Sequence, residues 1–113
     1  CTMCRKFHGA AFSTFAEVEK ENLIWLSGQE HLTSYRAENG SIRQFCNLCG
    51  SSLVFISTYN EAAATVEIAI ATLDTGAPLF PDAHIYTRSK VPWITLDDEL
   101  PKFTAFREPI SKQ

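Results

Sequence analysis

Two C-x-x-C steps constrain this chain more than any other feature: Cys1 and Cys4 at one end, Cys46 and Cys49 further along, with residues 5–45 between them. A tight turn through C-x-x-C aims two sulfurs at one point, as a tetrahedral thiophilic ion requires. A paired set of such knuckles points first to metal. In the second, Cys46-Asn47-Leu48-Cys49-Gly50-Ser51-Ser52, Gly50 can relax the backbone after the last sulfur. Two disulfides would be the reading in an oxidising compartment. A thioredoxin-type redox pair would need a strand-to-helix setting inside a βαβ unit, and neither pair has one. Residue 1 is itself a candidate ligand, so a metal-binding segment is expected to be missing ahead of it.

With 113 residues the chain falls within the ~100–200 residues of one domain. Its 45% hydrophobic content, eight Phe and two Trp supply a folded interior. A net charge of −3 disfavours a nucleic-acid surface, which would need a basic face. No apolar run approaches the ~20 residues of a membrane span, and no signal-peptide pattern opens the chain. The expectation is a cytoplasmic protein with neither nucleic acid nor membrane as partner.

Short strands dominate the pattern. Phe12 to Glu19 alternates apolar and polar residues, and Lys20-Glu21-Asn22 interrupts it as a turn. Leu23-Ile24-Trp25-Leu26 runs apolar to the turn signal Ser27-Gly28. Leu32 to Arg36 and Ile42 to Phe45 flank Glu38-Asn39-Gly40, a favourable hairpin signal. Ser52 to Ser57 and Val66 to Leu73 read as inner strands, and Tyr59 to Ala64 as a helical turn or a loop. Asp74 to Pro78 reads as a turn, His84 to Thr87 and Trp93 to Leu96 as late strands, and the tail after Pro101 as frayed or lightly docked. Frequent turn signals and few helical stretches make the fold mainly β.

Several blocks in order resemble one family. Cys1-Thr2-Met3-Cys4-Arg5-Lys6-Phe7-His8-Gly9-Ala10-Ala11-Phe12 is similar to the latter half of the metal motif of the glutathione-dependent formaldehyde-activating family, which includes the centromere protein V domain. Leu26-Ser27-Gly28, Phe45 to Leu53, Leu73-Asp74 and His84 to Trp93 also resemble that family in order and spacing, over roughly residues 1 to 106. The resemblance implies a single β-rich zinc-binding domain over residues 1–113, with short antiparallel sheets in a tent-like arrangement. It also implies two metal sites. A structural zinc is held by an N-terminal C-x-C pair and a later C-x-x-C, which Cys46 and Cys49 match. A catalytic zinc is held by a C-x-C-x-x-C run, whose last two cysteines Cys1 and Cys4 match. The remaining cysteines of both sites fall before residue 1. The bare residues favour a simpler picture, in which all four cysteines converge on one closed zinc.

Four thiolates close the shell of Zn²⁺ and make a structural bolt, whereas three leave a position for water or substrate. The activity implied by the resemblance is that of a carbon–sulfur lyase of the S-hydroxymethylglutathione synthase type. It would act on glutathione or another small thiol and its adduct with formaldehyde. The alternative is a non-catalytic zinc module for protein interaction; a nucleic-acid zinc ribbon is disfavoured by charge. Among other residues, His84 could line a substrate pocket, and Arg88, with Lys90, could clamp glutathione carboxylates. The plainer reading makes His84 a hydrogen-bonded structural residue and Arg88 a solubilising cation. His8 reads as loop packing, His31 as solvated, and Asp97-Asp98-Glu99 as a solvated turn. Trp93, Phe12, Phe15, Phe45 and Phe55 read as core.

Overall fold

The computed structural model describes residues 1–74 and 79–107. They form two compact units, one made of Thr14–Leu79 and the other of Cys1–Ser13 with the described residues from Phe80 on.

The first unit is an antiparallel sheet of five strands: β1 (Phe15–Glu19), β2 (Leu32–Arg36), β3 (Ile42–Cys46), β4 (Ser52–Ile56) and β5 (Thr65–Ala69), in the order β1-β5-β4-β3-β2. The mainly β expectation holds. Alternation sorts side chains onto two faces. Val54 and Val66, both buried, share one face with Val18 and Ile68. The register pairs Tyr35, Arg43, Phe55, Glu67 and Glu17 in a row across the other. In that row the Arg43 guanidinium lies over the Phe55 ring at 4.6 Å, a cation–π contact that helps a 3% exposed arginine tolerate burial. Phe55 in turn meets Phe15, with centroids 5.8 Å apart. The hairpin between β2 and β3 closes on Asn39, whose Oδ1 accepts from Ser41 N (3.0 Å) and Ser41 Oγ (2.6 Å). Gly40 there has φ +89°, and an added Cβ would stand 3.2 Å from Thr58 Cγ2, so glycine answers both demands.

The helical reading of Tyr59 to Ala64 resolves as a short helix, α2 (Thr58–Ala63), begun by a capping box. Asn60, 0% exposed, accepts from Ser57 N (2.8 Å) and Ser57 Oγ (2.7 Å), while its own N–H donates to Ser57 Oγ (3.1 Å). Its side-chain amide donates to Thr65 Oγ1 at 2.9 Å, tying the helix to β5.

Several local expectations are corrected. The first strand starts at Phe15, so Phe12 falls outside the alternation and is 54% exposed rather than core. Leu23 to Leu26 is not a strand, and Ile24 and Leu26 are exposed. The run beyond Ala69 winds into a 3₁₀ turn, Ile70–Thr72, where Thr72 Oγ1 donates to Ala69 O at 2.6 Å. Residues 75–78 of the Asp74 to Pro78 turn lie outside the described residues.

In the second unit, α1 (Thr2–His8) stands where the sequence suggested a tight knuckle. Gly9 ends it in the left-handed region, at φ 61°. His8, its last residue, packs its ring edge-on to Phe7 at 5.4 Å. Among the described residues the late strands reduce to one isolated parallel bridge, His84 with Lys102. His84 N donates to Pro101 O and Phe103 N donates to His84 O, both at 2.8 Å. Tyr86 N and Thr87 N extend the pairing to Ala105 O and Phe103 O, so the tail is docked through residues 101–105, while residues 108–113 lie outside the described residues. Trp93 to Leu96 forms no strand; Val91 takes the buried place and Trp93 is 72% exposed, which overturns its reading as a core anchor.

Candidate metal and substrate site

Each cysteine pair is built by its own local element. Cys1 is the N-cap residue of α1 and Cys4 lies one turn on, so i, i+3 spacing puts both on one side of the helix. Arg5 N donates to Cys1 O at 3.0 Å, and Ser13 Oγ donates to Cys4 O at 3.5 Å. Cys46 and Cys49 occupy the tip between β3 and β4. There Gly50 N donates to Cys46 O (2.7 Å) and Cys46 N to Ser51 O (2.9 Å), while Asn47 N reaches His31 O (2.8 Å). Gly50 takes φ +80°, the turn freedom that the sequence assigned to it. A register shift between Gln44 and Phe45 leads the ladder into this tip.

Among the described residues no disulfide joins the four cysteines; Cys1 and Cys49 are exposed, and Cys4 and Cys46 are partly covered. Cys49 Sγ lies 3.1 Å from Ser51 Oγ. That hydrogen bond, then the Ser51 backbone and Cys46, hold the Cys49 thiol below its ordinary value. A thiol biased toward its anion is already partway to a metal ligand. The donors therefore fit a thiophilic ion in kind, and each pair supplies two of them. Among the described residues no group of three or more His, Cys, Asp or Glu stands together as a ready metal cage. The pairs belong to different units, Cys1 and Cys4 to one and Cys46 and Cys49 to the other.

His84 and Arg88 belong to the same unit as Cys1 and Cys4. The His84 side chain is 18% exposed and its Nε2 lies 2.7 Å from Asp98 Oδ2. Asp98 Oδ1 also accepts from Leu100 N at 3.1 Å, and Lys102 Nζ stands 3.6 Å away. The His84 hydrogen bond, first among these, holds the Asp98 carboxyl below its usual value. Asp98 is thus a partner of His84 rather than a merely solvated acid in a charged turn. Charge alone in Asp97-Asp98-Glu99 gave no sign of this, because the pairing spans 14 residues. Arg88 is exposed, its guanidinium 5.8 Å from the Tyr86 ring centre. Lys90 is committed elsewhere, donating to Ile94 O (2.7 Å) and Val91 O (3.2 Å). His31 sits half-covered with its ring nitrogen 3.5 Å from Glu30.

A mainly β, antiparallel scaffold with two C-x-x-C pairs defines the class: a small paired-cysteine β protein. Residues 1–89 match the family described as glutathione-dependent formaldehyde-activating enzyme, and the chain belongs to that family. The matched stretch takes in both cysteine pairs, His84 and Arg88, and stops short of Lys90-Val91-Pro92-Trp93. No curated relative matches the chain.

Proposed function

We propose that this protein forms or cleaves the carbon–sulfur bond between a small thiol, glutathione foremost, and formaldehyde, with Zn²⁺ as cofactor. The observation behind this reading is the family match over residues 1–89, which spans both cysteine pairs. Cys1, Cys4, Cys46 and Cys49 are the proposed zinc ligands. When bound, the ion supplies Lewis acidity and holds a thiol as its thiolate. In the reaction the substrate sulfur gives up its proton and attacks the carbonyl carbon, and the carbonyl oxygen takes a proton to give the S-hydroxymethyl adduct. Cleavage is the reverse.

The chain's own side chains have distinct tasks in this scheme. Arg88 pairs its guanidinium with a glutathione carboxylate. Its exposed position leaves the guanidinium open to a ligand. His84 lines the substrate pocket, its ring oriented through Nε2 by Asp98. The test is the rate of exchange among glutathione, formaldehyde and their adduct, followed by NMR, with zinc per chain measured in parallel. Acceleration over the spontaneous reaction, lost in Cys4→Ser, is expected. No acceleration by zinc-loaded protein would reject the activity.

A further inference from the structure

Glu17 and Glu67 face each other directly in the register of β1 and β5, and β1 is an edge strand of the sheet. Like charges so placed repel and weaken the pairing they belong to. We propose that the two carboxyl groups act as a pH-sensitive catch, β1 being firmly docked when one of them carries a proton and loosened when both are ionised.

The surroundings say which group holds the proton. Glu17 is exposed, accepts from Thr65 Oγ1 at 2.7 Å, and is also hydrogen-bonded by the Tyr59 phenol. Glu67 is half-buried, and desolvation first, then the Glu17 charge, push its carboxyl upward; a hydrogen bond from Asn60 opposes this only in part. Tyr59 responds to the same centre, its phenol held in the neutral form chiefly by the Glu17 charge. Of the two, Glu67 is therefore the group that holds a proton more readily than an ordinary carboxylate.

The other charged groups around the pair do not neutralise it. On β1 the remaining one is Glu19, a further acid. The 3₁₀ turn that packs on β5 contributes Lys20 and Glu21, both exposed. On α2, Glu61 is engaged by Arg36 at 3.7 Å. Strand β4 carries no charge between Ser52 and Ile56. Arg43 shares the row but lies beyond Phe55, stacked on its ring.

The experiment is a side-chain carboxyl ¹³C titration of the whole chain, with amide exchange in β1 as the mechanical readout. Glu67 is expected to titrate above the ordinary carboxylate range and to return toward it in Glu17→Gln. At pH 8, Glu67→Gln should slow β1 amide exchange about two- to fivefold relative to wild type, and the ratio should shrink toward one near pH 5 (rough values for a directly opposed like-charge pair). Both glutamates titrating in the ordinary range in the wild-type chain would overturn the proposal, whether or not the variants fold. So would an exchange ratio equal at the two pH values.

Discussion

Replacing Asn60 with alanine should cost this protein more stability than its position on a six-residue helix suggests. The asparagine is wholly buried and, besides the hydrogen bond it gives Glu67, three more tie its side chain in place, two accepted from Ser57 and one donated to Thr65. At about 1 kcal/mol net for each, their loss comes to about 3 kcal/mol. Alanine's better helix propensity returns roughly 0.5 kcal/mol. The net, about 2.5 kcal/mol, is a large share of the ~5–15 kcal/mol that holds a typical domain together. With a urea slope of about 2 kcal/mol/M, the unfolding midpoint should fall by about 1.2 M. Ser57→Ala removes the reciprocal half of the same box and should cost about 1 kcal/mol. Because both variants break shared bonds, the double variant should lose clearly less than the sum. Urea titrations followed by circular dichroism on the four proteins test this. A midpoint shift for Asn60→Ala below about 0.4 M, or strict additivity, would refute the assignment of the capping box as the joint between α2 and β5.

Two further outcomes follow from the site geometry. Ser51→Ala removes the main group holding the Cys49 thiol down, so metal-free protein at mildly alkaline pH should alkylate more slowly at Cys49; an unchanged rate by mass spectrometry would count against the Ser51 hydrogen bond. Asp98 has a lowered folded-state value, chiefly through His84. Its ionised form therefore stabilises the fold above the ordinary carboxylate range of about 4, and that contribution fades as pH falls through the folded value. Asp98→Asn should accordingly lower the melting temperature at pH 7, with the gap to wild type narrowing as the pH falls below the ordinary carboxylate range. A gap independent of pH would mean that the loss is one of packing.

The sheet was largely legible from alternation, because burying one face of a strand imposes a period of two on its residues. Leu32 to Arg36 forms where the pattern put it, and the strands read at Ile42 to Phe45 and Ser52 to Ser57 form within one residue of those bounds. Periodicity misled where apolar residues do not face a neighbouring strand, as at Ile24, Leu26 and Trp93, all exposed. The first C-x-x-C was legible as a pair, yet its helical setting was not, since i, i+3 spacing serves a helix turn and a metal knuckle alike. Local sequence alone determined the two cysteine pairs, the hairpin closed by Asn39 and Gly40, and the family to which the chain belongs. These rest on neighbours in the chain or on motif order, which need no tertiary contact to be read. Only the tertiary structure decided that Asp98 meets His84, that Thr65 hands its hydroxyl to Glu17 across 48 residues, and that Glu67 is set against Glu17 in a half-buried place. Such pairs depend on strand order and loop closure, and their chemistry comes from desolvation and charge proximity that exist only once the chain has folded.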